Sequence, residues 1–273
     1  MNKQVFFLIL LIICSFTSRG QSVIELTKQA DDCVAREDYK CAIYATKKLI
    51  ELESNKIKLA FHYFNLGTYQ RNLTYYKSAL RSYNSAIKTF PTFLVAYRER
   101  AALFYFLGKL DNALKDLNMA LTIDTINEAT LMDRASFYNV TGNLDLASKD
   151  LEKVIKNNPK NYRARANLAT IKIKKGNYND ALNDFTVLVA EYPTQPILHN
   201  NRADALRRLK MLDEALKEAE IALMLDETFV WGHVNKGLIL NDLNRVDEAK
   251  KEFDRAIQLG FTQEEIDFLM NEK

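Results

Sequence analysis

The sequence predicts an all-α protein built from stacked helix pairs, and three observations carry that prediction. Chain breakers are scarce: 273 residues contain 8 Gly and 4 Pro, whereas an all-β sandwich or barrel needs a turn signal roughly every ten residues. Composition supplies a core, with 48% hydrophobic and 27% charged residues, which argues against disorder. The third observation is a strict period. Ala79, Ala113, Ala147, Ala181, Ala215 and Ala249 stand 34 residues apart, and such spacing marks a repeated supersecondary unit.

Taken in chain order, the first segment reads as a targeting signal. Met1 to Lys3 give a basic start, Val5 to Phe16 an apolar run, and Ser18 and Gly20 place small residues three and one positions before Gln21. That pattern predicts a secretory signal over residues 1–20, cleaved after Gly20. Twelve apolar residues fall short of the about twenty that span a bilayer. Ile13 before Cys14 is too bulky for a lipoprotein signal. The mature chain is therefore expected to be exported, periplasmic or secreted, with no transmembrane segment. Its richness in Asn, Lys and Ile and the Gln after the cleavage site look bacterial. Export leaves Cys33 and Cys41 as the only cysteines. Eight residues apart across a predicted turn at Arg36-Glu37-Asp38, they fit a disulfide between consecutive antiparallel helices. The alternative is two small residues buried at packing positions.

Each repeat is then justified column by column. Four residues after the periodic alanines come Tyr83, Leu117, Leu151, Phe185, Ala219 and Phe253, and seven after them Ala86, Ala120, Val154, Leu188, Ala222 and Ala256. Offsets of four and seven trace one apolar stripe of a helix. Twelve residues before each alanine lies a small residue, Gly67, Ala101, Ala135, Ala169, Ala203 or Gly237, where two helices can approach closely. Sixteen before come Tyr63, Tyr97, Leu131, Arg165, His199 and His233, mostly large enough to wedge between the helices of a pair. Gly108, Gly142 and Gly176 mark the turns of three units, ending one helix in the left-handed conformation. Asp111, Asp145, Asp213 and Asp247 follow in the next first turn, where they complement the helix dipole. Pro91, Pro159 and Pro193 close three units. An earlier unit is visible around Leu26, Ala30, Tyr39, Ala42 and Leu49, and Thr262 with Glu265 forms a capping-box pattern for a closing helix.

These columns, with stretches such as Asn65-Leu66-Gly67 and Gly176-Asn177-Tyr178-Asn179-Asp180-Ala181, resemble the tetratricopeptide repeat family. The resemblance implies a right-handed superhelical solenoid of antiparallel helix pairs, with seven repeats over residues 22–260 and a capping helix and tail over 261–273. It also implies a non-enzymatic role in binding a protein or extended peptide, with no cofactor. In superhelical members of the family, the column fourteen residues before each alanine faces a concave groove. Here that column reads Asn65, Glu99, Asp133, Asn167, Asn201 and Asn235. An amide both donates and accepts, so an asparagine ladder can pair with peptide main chain whatever its side chains. These residues are expected to lie outside the packing columns, beside Phe64, Arg98, Tyr105, Arg207 and Trp231. A solvated polar stripe without a ligand is the other reading of the same residues.

The remaining chemistry is sparse. No nucleophile elbow, phosphate loop, dinucleotide fingerprint or zinc spacing occurs in the mature chain. His199 and His233 share a column with no cysteine or carboxylate, so packing outweighs metal binding there. Beyond residue 20 the chain has 36 basic and 35 acidic residues, which offers no footprint for nucleic acid. A basic run from Lys149 to Lys175 reads as a solvated helix face. The expected function is an exported solenoid that holds a partner in its groove. The alternative is a structural scaffold of a cell-envelope assembly that works through its outer faces or ends.

Overall fold

A computed structural model describes residues 22–271, and the described residues contain helices and no strand. Two compact units divide the chain, one ending at Asp133 and the other starting at Arg134. The first unit holds α1 (22–35), α2 (Tyr39–Leu52), α3 (Lys56–Asn72), α4 (Tyr76–Thr89), α5 (Leu94–Phe106) and α6 (Leu110–Ile123). The boundary falls within α7 (Glu128–Val140). The second unit continues with α8 (Leu144–Asn157), α9 (Tyr162–Lys174), α10 (Tyr178–Glu191), α11 (Pro196–Arg208) and α12 (Leu212–Leu225). It ends with α13 (Val230–Asp242), α14 (Val246–Gln258) and α15 (Gln263–Asn271). The expected signal segment lies outside the described residues.

The periodic alanines are the points of closest packing. All six are buried to within 2% of complete, as are Tyr83, Leu151, Phe185 and Leu188 from the same stripe. Small and large residues trade volume across the α3–α4 and α13–α14 pairs. A Cβ at Gly67 would stand 2.7 Å from the ring of the fully buried Tyr83, and Gly237 lies against the ring of Phe253 in the same way. Where the opposing residue is Leu117 or Leu151, the small column affords a methyl group, Ala101 or Ala135. The wedge column is buried at Tyr97, Leu131, His199 and His233, and Arg165 departs from it by turning outward to Glu191 at 2.5 Å.

Every helix pair turns through the same device. The residue five before each repeat alanine has positive φ: Glu37 57°, Thr74 62°, Gly108 69°, Gly142 79°, Gly176 80°, Lys210 62° and Asn244 60°. In each case its N–H and the next one return to carbonyls of the preceding helix, as with Thr74 N to Arg71 O at 2.8 Å and Tyr75 N to Gln70 O at 2.8 Å. That pair of bonds satisfies carbonyls which a helix C-terminus otherwise leaves open. At the far end, Thr262 Oγ1 and N donate to Glu265 Oε2 at 2.8 and 2.9 Å, and Glu265 N donates to Thr262 Oγ1 at 3.2 Å. The box starts α15, which drops the buried Ile266 onto Phe253 and Val234 of the last pair. Terminal units need such a cover because a repeat stack otherwise ends on a bare apolar face.

Candidate functional site

Helices α3, α5, α7, α9, α11 and α13 carry the polar ladder, and it makes contacts between α3 and α5, α5 and α7, α9 and α11, and α11 and α13. In the first unit, Asn65 on α3 is half-buried. Glu99 on α5 accepts from Arg71 on α3 at 2.6 Å, and Asp133 accepts from Arg98 on α5 at 2.7 Å. Two of these three ladder positions are therefore carboxylates already matched by guanidinium groups.

In the second unit the ladder consists of amides, and their freedom falls steadily along the chain. Asn167 on α9 is exposed, and its amide has no hydrogen-bond partner among the described residues. Asn201 on α11 donates to Thr170 Oγ1 at 3.4 Å and accepts from Asn200 at 3.3 Å. Asn235 on α13 is buried, and its Nδ2 donates to the Asn200 carbonyl at 2.9 Å. The expectation that all ladder residues lie outside the packing thus fails at Asn235, whose donor is spent in tying α13 to α11. Around Asn167 the surface sinks into a recess of about 120 Å³, lined by Ser136, Asn139, Asn167 and Thr170 over Ala135, Leu151 and Ile171.

The flanking candidates divide between packing and exposure. Phe64 packs on Phe93 and Tyr83 with centroids 5.3 and 5.9 Å apart. Arg207 reaches Asp204 and Asp242 at 3.3 and 3.4 Å, leaving its Nε buried without an acceptor. Tyr105 is 40% exposed, and the half-exposed Trp231 stands edge-on to Phe261. The basic run is not one open patch, because Lys172, Lys174 and Lys175 are engaged by Asp184, Asn139 and Asp145.

His199 and His233 occupy equivalent places in two duplicated clusters. His199 Nδ1 meets Glu218 at 2.9 Å and Nε2 the Pro193 carbonyl at 3.0 Å, while His233 meets Glu252 at 2.7 Å and the Glu227 carbonyl at 3.0 Å. Arg202 and Lys236 hold the other oxygens of the same carboxylates. Burial alone pushes the Glu252 carboxyl up, but hydrogen bonds from His233 and Lys236 and the Lys236 charge together leave it below its usual value. Both imidazoles have both nitrogens occupied, and among the described residues no group of three or more His, Cys, Asp or Glu could hold a metal ion. The same sixteen-residue link recurs as Arg100–Asp116 and Arg134–Asp150, each a two-point contact at 2.7 Å. The pairing of these acids with the arginines was not read from the sequence, although matching charges at a fixed offset within the 34-residue period would have found it. Cys33 and Cys41 stand across the α1–α2 turn with Cα atoms 5.7 Å apart, within disulfide reach.

Comparison with known proteins agrees with this architecture. Family models described as tetratricopeptide repeat match residues 141–204 and 232–259. A tetratricopeptide repeat protein from Parabacteroides merdae is 28% identical with TM-score 0.79, the match covering 92% of this chain and 98% of that one. PilW, a type IV pilus biogenesis factor, is 16% identical with TM-score 0.65 over 78% of this chain and 99% of its own. The Cut9–Hcn1 hetero-tetramer of the APC/C is 18% identical with TM-score 0.63, over 90% and 55% respectively. The last two share the fold. The curated proteins contain no match. No described helix is long and apolar enough to cross a membrane. With its alanine period, its helix pairs and the two matched segments, the chain carries tetratricopeptide repeats in the helix-pair fold of that family's solenoids.

Proposed function

We propose that this protein is a non-enzymatic interaction module, exported from a bacterial cell, that receives an extended peptide or partner segment along the ladder face of its odd-numbered helices. The observation that supports this reading most is Asn167. An exposed amide with donor and acceptor both unengaged, beside Ser136 and Asn139 in a recess, is laid out to pair with a ligand. Tetratricopeptide repeats are interaction modules as a class, which agrees with that use. The test is affinity capture from envelope extracts by the mature protein and by the triple variant Asn65→Ala, Asn167→Ala, Asn201→Ala, which spares the buried Asn235. Each lost bond should weaken binding by about 0.5–1.5 kcal/mol, so the variant should hold its partner roughly tenfold or more weakly with helicity unchanged. Capture at full affinity would sink the groove reading. The second reading, a scaffold working through its outer faces, draws on α12, where Met224 is 86% exposed with Ile221 and Leu225 on the same helical face.

A further inference from the structure

The recess beside Asn167 lies wholly within residues 135–171 and differs in chemistry from the rest of the ladder. None of its lining side chains is charged. Thr170 is spoken for, since its hydroxyl donates to the Ala166 carbonyl at 3.0 Å and accepts from Asn201. Asn139 is oriented from outside. The Lys174 ammonium stands 2.9 Å from it and can only donate, so the amide atom facing the lysine is Oδ1 and the NH2 group is turned away from it. Three groups therefore remain for a ligand: the Asn139 NH2, the whole amide of Asn167, and the Ser136 hydroxyl. That set contains both donors and acceptors, and its floor is apolar, formed by Ala135, Leu151 and Ile171.

We infer that this recess takes the primary amide of an asparagine or glutamine side chain on the bound peptide; the inference rests on the ladder-face reading proposed above. With a volume of about 120 Å³ the recess is small, which suits one small polar group. A primary amide carries two donors and an acceptor, so its carbonyl takes the Asn139 NH2 while its NH2 serves Asn167 Oδ1 or Ser136 Oγ. A carboxylate could accept from the Asn139 and Asn167 NH2 groups and the Ser136 hydroxyl, but it brings no donor for the Asn167 Oδ1. A lysine brings donors only and would lose water around its charge with no carboxylate in the lining. An apolar side chain would strip water from all three groups and return nothing, the situation in which polar sites reject a ligand most strongly.

The test uses immobilised nonapeptide mixtures, randomised except for a central residue fixed as Gln, Asn, Glu, Lys or Leu, against the full mature protein. Gln and Asn mixtures should retain about fivefold more protein than the other three, the worth of one to two hydrogen bonds. The variants Asn167→Leu and Ser136→Ala change exposed positions and should keep the wild-type melting temperature. Asn167→Leu should level the five mixtures, and Ser136→Ala should narrow the preference. Equal retention of all mixtures by the wild type, or a preference for Glu, overturns the amide assignment and leaves the ladder-face reading standing. Retention of no mixture overturns both.

Discussion

Thr74 holds a left-handed backbone at φ 62° in a slot that three other repeats fill with glycine. A β-branched side chain there suffers the Cβ–carbonyl crowding that costs about 1–2 kcal/mol, while glycine would give back part of that through its freer unfolded chain. Thr74→Gly should therefore raise stability by about 1 kcal/mol, visible as a later urea midpoint at unchanged slope. A lower midpoint would show that the threonine side chain contributes more than its backbone strain removes. The column was half legible in the sequence. Gly108, Gly142 and Gly176 declare a positive φ, but Glu37, Lys210 and Asn244 do not, because many residue types tolerate one left-handed position when the flanking hydrogen bonds enforce it. His199 and His233 make the complementary point. Their shared column could be read from the sequence, yet their partners Glu218 and Glu252 come from a different helix, nineteen residues on.

Helices α1 and α2 meet across a three-residue link, and Cys33 and Cys41 stand on either side of it. Asp38 caps α2 by accepting from Cys41 N at 3.0 Å, and Cys33 is fully buried, so the two cysteines are held in register by the helices themselves. We propose that the bridge forms in protein recovered from an oxidising compartment. Thiol titration under denaturing, non-reducing conditions should find no free thiol, and reduction should lower stability by about 2 kcal/mol for so short a loop. Two titratable thiols would leave only the packing role. The sequence reading kept both possibilities because spacing alone does not fix Cα separation. Elements also decide how the buried charges behave. Asp150 is 2% exposed but held at two points by Arg134, whose guanidinium is pushed up, mainly by that hydrogen bond. Such a pair contributes little net stability against an apolar substitute, but removing one member strands the other.

Across the whole molecule the titratable groups point to acid sensitivity in both units by separate causes. Burial pushes the His62 imidazole down, more than the Glu53 carboxylate 3.8 Å away pulls it up. A depressed histidine favours the neutral ring in the folded state, so its stabilisation is complete above the ordinary value of 6.5 and is lost as pH falls below it. Glu252 is depressed too, so its contribution is present above the usual 4.5 and is lost as pH falls further. Thermal melting should therefore decline in two stages on acidification, and His62→Gln should remove the first stage while leaving the second. A single decline unaffected by His62→Gln would contradict this assignment. What the sequence determined by itself was the repeat: offsets of four, seven and twelve map directly onto helix faces, and a residue with no room for more than a methyl group must be small wherever two helices meet. What only the tertiary structure decided was which members of the polar column are available. Asn167 and Asn235 are the same residue in the same repeat position, yet one amide faces open space and the other is closed over by a carbonyl on the preceding odd-numbered helix. Availability depends on how nearly two helices approach and which neighbouring groups reach across, and neither is written in the identity of the asparagine.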